Sequence, residues 1–216
     1  MHTELVFVLD KSGSMSGLEK DTIGGYNSIL QKQLVGEGTV TITTVLFNHE
    51  IELLHDRLPI DAIEQLTEED YVVGGMTALL DAVGFAIQKI DKVQQSVKKS
   101  MQADKVLFVI TTDGMENSSR QFNAQQIKSL ISGCKERGWN FLFLGANIDV
   151  QEMAHSIGIS AEHAVEYVAD EQGTIQNFEA LNETVSSVRK GQQISRAWKE
   201  TIEKDVKKHE IGRAHV

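Results

Sequence analysis

Asp10-Lys11-Ser12-Gly13-Ser14 sets a carboxylate and two hydroxyls at alternate positions, directly after the apolar run Leu5–Leu9 (LVFVL). A continuous apolar run of this length reads as a strand buried on both faces of a parallel sheet, so the string sits at its carboxyl end, where open α/β sheets bind ligands. Two other places carry matching groups. Thr111-Thr112-Asp113-Gly114 closes a second apolar run, Val106–Ile110 (VLFVI), and Thr77 follows Gly74-Gly75-Met76 ahead of a helical stretch, Ala78–Ile90. Each has a plain structural use: Asp10 and the serines as caps, Asp113-Gly114 as a turn, Thr77 as a helix N-cap. The D-x-S-x-S string alone arises by chance in about one chain in twenty of this length. The combination is more telling. If the first and fourth strands lie side by side where the sheet order reverses, Asp10 and Asp113 project into one crevice, with the glycine-flexible Thr77 loop beside them.

Two carboxylates and three hydroxyls make a hard, all-oxygen site that suits Mg²⁺, Mn²⁺ or Ca²⁺ rather than zinc or copper. Its formal charge of −2 balances a divalent ion without excess. Hydroxyls are weak, neutral ligands, so a cation held by them stays electrophilic and seeks one more anionic oxygen. That missing ligand is the clue to function.

The elements that must position these groups alternate. Strand signatures at 5–9, 106–110 and 141–144 (FLFL) are separated by helical spacings through Ile23, Tyr26, Ile29, Leu30 and Leu34, then Leu79, Leu80, Val83, Ile87 and Ile90, then Ile127, Leu130, Ile131 and Cys134. Alternation of this kind predicts a parallel sheet with helices on both faces. Residues 40–55 break the rhythm: VTITTVLF and IELLH are separated only by Asn48-His49-Glu50, a hairpin length, which predicts an antiparallel edge strand. A short helix over 150–157, a sixth strand over 164–168 and a helix over 173–189 follow. A last helical stretch, 194 to about 209, carries Ala197, Trp198, Ile202 and Val206 on one stripe.

With these motifs in place, the sequence resembles the von Willebrand factor A (VWA) family and its metal-ion-dependent adhesion site. The resemblance covers roughly residues 3–190, and all five motif positions are present: Asp10, Ser12, Ser14, Thr77 and Asp113. It implies a Rossmann-like α/β sheet of six strands in the order 3-2-1-4-5-6, with strand 3 antiparallel at the edge and helices on both faces. It also implies Mg²⁺ or Mn²⁺ at the top, held partly through water, with an acidic residue of a partner protein completing the octahedron. The absence of disulfides and of a signal peptide in the sequence places the resemblance nearer the cytoplasmic bacterial VWA proteins. Some of those look like adaptors for chaperone-type ATPases or for tellurium-resistance and stress systems, and the analogy extends to the partner expected here.

Composition narrows the alternatives. The chain has 216 residues, 41% apolar and 24% charged, enough for one large core and unlike a disordered tail or coiled-coil rod. A net charge of −10 repels phosphate backbones and anionic lipid, which argues against nucleic acid or a membrane surface as partner. The single cysteine, Cys134, reads as an inert, half-buried thiol. Of the seven histidines, His49 and His55 flank the edge strand and His155 and His163 straddle a loop, without the spacing of metal ligands. A metal-dependent hydrolase or phosphotransferase in the same crevice is the competing function, but it needs a general base or nucleophile. No Cys or His falls in the three loops, and no phosphate-binding glycine motif occurs, so the chain reads as a binding module and not an enzyme. Glu116, Asn117 and Ser118 read as supporting hydrogen-bonders or solvated residues. Met15 and Met76 read as core fillers that border the crevice.

The domain layout expected is a VWA domain over 1–190 and a helical extension over 191–210. Residues 211–216, Ile-Gly-Arg-Ala-His-Val, resemble the in-frame translation of a common sequencing-library adapter, which would make them a scar replacing the natural C-terminus. With no leader and no apolar stretch of about 18 residues, the chain reads as cytoplasmic.

Overall fold

The structure, a computed structural model, describes residues 1–213. Among them six strands form one sheet: β1 (His2–Asp10), β2 (Thr39–Phe47), β3 (Ile51–Pro59), β4 (Lys105–Thr112), β5 (Asn140–Gly145) and β6 (Ala164–Glu166). Their order is β3-β2-β1-β4-β5-β6, with β3 antiparallel to β2 and every other neighbour parallel, as the family resemblance implies. The order reverses at β1, which lies between β2 and β4.

Continuous apolar runs serve β1, β4 and β5 because both faces are covered. Leu5, Phe7 and Leu9 pack on one side with Tyr26, Ile29 and Leu30 of α1 (Glu19–Leu34) and Phe178, Leu181 and Val185 of α5 (Glu171–Arg189). Val6 and Val8 pack on the other with Val83, Ile87 and Ile90 of α2 (Leu79–Ser96) and Ile127 and Ile131 of α3 (Ala124–Glu136). The short α4 (Val150–Ser156) joins that second layer through Val150 and Ala154. Cys134 is buried there too, and burial raises its pKa. Burying each such aliphatic side chain contributes about 1.5–3 kcal/mol, so the two layers hold the sheet in place.

Several expectations are adjusted. Leu34, counted in the first apolar stripe, is exposed, because it lies off the face that its helix buries. The sixth strand is shorter than 164–168: pairing with β5 ends at Glu166. The last helical stretch begins as a 3₁₀ turn, Arg196–Lys199, before α6 (Glu200–Arg213). Ile202 of α6 is buried, and Trp198 Nε1 donates to the Glu162 carbonyl at 2.9 Å. Of the six tail residues, 211–213 continue α6 and 214–216 lie outside the described residues. Met15 is in the core, but Met76 is 51% exposed. Among the described residues no helix is long and apolar enough to cross a membrane.

Candidate metal centre

Asp10 closes β1, with Phe47 paired to it on one side and β4 alongside on the other. Its carboxylate is fully buried and held from both directions: Oδ1 accepts from the Ser12 N–H at 2.7 Å, and Oδ2 from the Thr112 hydroxyl at 2.5 Å. Burial pushes its pKa up to about 6, against the lowering effect of those hydrogen bonds and with a small further push from Asp113. The Asp10 carbonyl accepts from the Tyr71 hydroxyl.

Around Gly114 the three hydroxyls converge. A Cβ at that glycine would stand 2.7 Å from Ser14 Oγ, 2.8 Å from Thr77 Oγ1 and 3.3 Å from Ser12 Oγ. Ser12 Oγ and Ser14 Oγ are 3.0 Å apart. Thr77 does not cap α2: the N-cap position is Ala78, without a side-chain cap, and Thr77 is buried. Asp113, 2% exposed, does not act as a turn carboxylate either. Neither of its oxygens has a hydrogen-bond partner, and it is the one buried carboxylate among the described residues of which that holds. Burial raises its pKa, tempered by the neighbouring Ser14 hydroxyl, which stands close without meeting hydrogen-bond geometry.

An unpartnered buried carboxylate costs several kcal/mol unless something compensates it. A second carboxylate and three hydroxyls in the same crevice supply the donor set for a hard divalent cation. Groups of three or more His, Cys, Asp and Glu suited to a metal are absent among the described residues, so hydroxyl oxygens must complete any such site.

Supporting residues hold the three loops in register: Glu116, Asn117 and Ser118, named from the sequence, and Asn48 and Asp81, which the sequence reading missed. Asn48, in the β2–β3 hairpin, donates from Nδ2 to the Gly74 carbonyl at 2.8 Å, and its own carbonyl accepts from Ala78 N–H at 2.7 Å. Gly74 N–H donates to Lys11 O, and Gly13 N–H to Gly75 O at 3.1 Å. Gly75 has φ of +81°, and a Cβ there would meet His49 Nδ1 at 2.2 Å, so glycine is required. This makes His49 a wall of the Thr77 loop rather than only an edge-strand neighbour.

The loop after β4 is fixed to the start of α2. Asn117 Oδ1 accepts from Thr77 N–H at 2.9 Å, and the Asn117 and Ser118 N–H groups donate to Thr77 O. Glu116 accepts from Leu80 N–H at 3.0 Å and from Ser118 and Ser119 N–H at 3.0 and 2.8 Å. Asp81 accepts from the N–H groups of Arg120, Gln121 and Phe122 at 2.8–2.9 Å. Apart from the local Glu116 bonds to Ser118 and Ser119, these pairings are 36–41 residues apart in sequence, so no local spacing announces them. Lys11 pairs with Glu52 on β3 instead of facing the crevice.

The model of the von Willebrand factor type A domain family matches residues 4–184. The chain belongs to that family. No curated protein matches it in sequence. Among solved structures, this VWA chain resembles proximal thread matrix protein 1 from the mussel byssus with a zinc-occupied MIDAS motif (13% identity, TM-score 0.56, covering 86% of this chain and 46% of that one). It also resembles a von Willebrand factor type A protein of Catenulispora acidiphila (13%, 0.55, covering 86% and 43%). A third is the manganese-loaded TRAP protein of Plasmodium vivax (17%, 0.54, covering 81% and 70%). The VWA chain spans less than half the length of the first two. At these identities the likeness is one of fold. VWA domains commonly bind metal and proteins, and the crevice described above lies at the switch point where such a fold presents ligands.

Proposed function

We propose that the domain holds one divalent cation, Mg²⁺ or Mn²⁺, on Asp10, Ser12, Ser14, Thr77 and Asp113, and grips an Asp or Glu side chain of a partner protein through it. The observation that carries this reading is Asp113: buried, with both oxygens unpartnered, next to three hydroxyls gathered at Gly114. A bound cation would supply positive charge and an open coordination position. The chain's residues supply the rest. Asp10 is aimed by Thr112 and the Ser12 amide, and the serines and Thr77 add neutral oxygens, so little charge is neutralised beyond the two carboxylates.

A binding module fits better than a hydrolase or phosphotransferase. Catalysis requires a base or nucleophile, and both crevice carboxylates are committed as ligands in this reading. Cys134 lies buried in the second core layer and does not line the cavity that opens on Ser14 and Asp113. By analogy with cytoplasmic bacterial members, we place the chain as an intracellular adaptor whose partner is a chaperone-type ATPase or stress-response component. The zinc of the mussel relative and the manganese of the Plasmodium one widen the set of ions worth testing.

Affinity capture with the tagged full chain, run in Mg²⁺ and in chelator, tests the reading. The expected result is a partner retained in Mg²⁺, lost in chelator and lost with Asp113→Ala. A partner retained equally in all three conditions contradicts metal-mediated binding, and Mg²⁺-dependent turnover of a phosphoester would favour the enzyme.

A further inference from the structure

We infer that the partner's carboxylate is presented between basic residues: the acidic walls beside the metal centre select an Asp or Glu flanked by Lys or Arg. This rests on the metal-adhesion reading above and adds to it the charge of the segment that docks.

Two cavities run together alongside the centre. The first, about 510 Å³, opens on Ser14 and Asp113 and is walled by Asp21, Asp170 and Glu171. The second, about 750 Å³, shares Gly17, Asp21 and Glu171 with the first and adds Glu19 and Glu68. Lys20 is the one cation lining either among the described residues. Glu19 accepts from Gly17 N–H at 2.7 Å, and Asp170 caps α5 through Gly173 N–H at 2.7 Å, with His209 Nε2 3.4 Å away. Asp21, Glu68 and Glu171 take part in no ion pair or side-chain hydrogen bond among the described residues. The rim is therefore open negative charge.

Asp113 provides the independent sign that a ligand enters here, since a nearly fully buried carboxylate with both oxygens unpartnered lines the first cavity. A divalent ion balances Asp10 and Asp113 and leaves the rim uncompensated. An incoming carboxylate adds one more negative charge in a partly desolvated cleft, where like charges repel more strongly than in open water. Cations on either side of that carboxylate would meet Asp21 and Glu171 and turn repulsion into attraction. Met76 and Met115, 51% and 71% exposed on the Thr77 and Asp113 loops, offer adaptable apolar contact for the same segment.

Three capped pentapeptides with central Asp flanked by Lys, by Ser or by Glu, titrated into the full chain loaded with Mn²⁺, test this through water-proton relaxation of the bound ion. A peptide carboxylate that displaces Mn²⁺-bound water lowers the relaxation. The Lys-flanked peptide is expected to bind at least about tenfold more tightly than the Glu-flanked one at low salt. That ratio should shrink at 0.5 M salt and in the double variant Asp21→Asn, Glu171→Gln, which keeps Mn²⁺ binding. Equal affinities of the Lys- and Glu-flanked peptides, each dependent on Mn²⁺, overturn the inference and leave the metal-adhesion reading standing. Failure of all three peptides to change the relaxation, or unchanged binding when the central Asp is replaced by Asn, overturns that reading and the inference with it.

Discussion

The Thr112 hydroxyl on β4 donates to the Asp10 carboxylate on β1 across 2.5 Å, joining the two strands between which the sheet order reverses. Register explains it: Leu9 is paired with Thr111, so the next residue on each strand meets at the carboxyl edge. The bond lowers the Asp10 pKa against the effect of burial and, with the Ser12 amide on the other oxygen, holds the carboxylate at the end of β1.

Thr112→Val keeps the shape and deletes the donor. The folded chain should lose about 1–2 kcal/mol in denaturant unfolding, and Mn²⁺ affinity at pH 6 should fall more than at pH 8, because the Asp10 pKa rises further. Unchanged affinity at both pH values would show that the hydroxyl does not tune Asp10.

Gly114→Ala probes the convergence of hydroxyls. The new methyl would stand under 3 Å from Ser14 Oγ and Thr77 Oγ1, and Gly114 has no positive φ to strain. The fold should survive with a cost of about 1–3 kcal/mol, while Mn²⁺ binding by calorimetry should weaken at least tenfold. Full-strength binding in this variant would mean that the hydroxyls do not meet at the ion.

Glu116→Ala and Asp81→Ala release the loop after β4 from α2. Each leaves backbone N–H groups without an acceptor, so a loss of about 1–3 kcal/mol is expected for each, with weaker Mn²⁺ binding although neither carboxylate is a ligand. Hydrogen exchange should quicken at residues 116–122. Protection there that matches the wild type would contradict the role given to these carboxylates.

The metal-free protein should lose stability as pH rises through the Asp10 pKa. Asp10 takes up its proton near pH 6 in the folded chain and at 3.8 in the unfolded one, so between those values the folded state holds the extra proton. Its contribution is complete below about pH 4 and lost above 6, worth at most roughly 3 kcal/mol, with Asp113 shifted in the same direction. Buried His55, whose pKa burial lowers, runs the other way, so the comparison needed is wild type minus Asp10→Asn. In chelator, that difference in melting temperature should grow in favour of the variant from pH 4.5 to 7.5. No change across that range would contradict the Asp10 assignment.

What the sequence disclosed depended on whether the signal was local. β1, β4 and β5 were readable because strands covered on both faces need unbroken apolar runs, and the β2–β3 hairpin because three residues cannot span a crossover. The five candidate residues were readable because each lies just after such a run or beside a glycine pair. Glu4 was not: it lies fully buried in β1 and is paired with Arg57 Nε at 2.8 Å, a partner 53 residues away. Asn48 and Asp81 were missed for the same reason, since their acceptors and donors lie in loops that only the tertiary fold brings together. The acidic rim was hidden because Asp21, Glu68 and Glu171 belong to three separate segments.

Isothermal titration of Mn²⁺ into chelator-treated wild type and Asp113→Ala, with circular dichroism to confirm that both are folded, tests the central claim most directly. One ion per wild-type chain and none per variant is the expected result, with a wild-type stability gain of about 2.7 kcal/mol at a hundredfold excess over Kd. Folded wild type that takes up no divalent ion, or a variant that binds as well as wild type, would contradict the metal centre and return Asp10, Ser12, Ser14, Thr77 and Asp113 to purely structural roles.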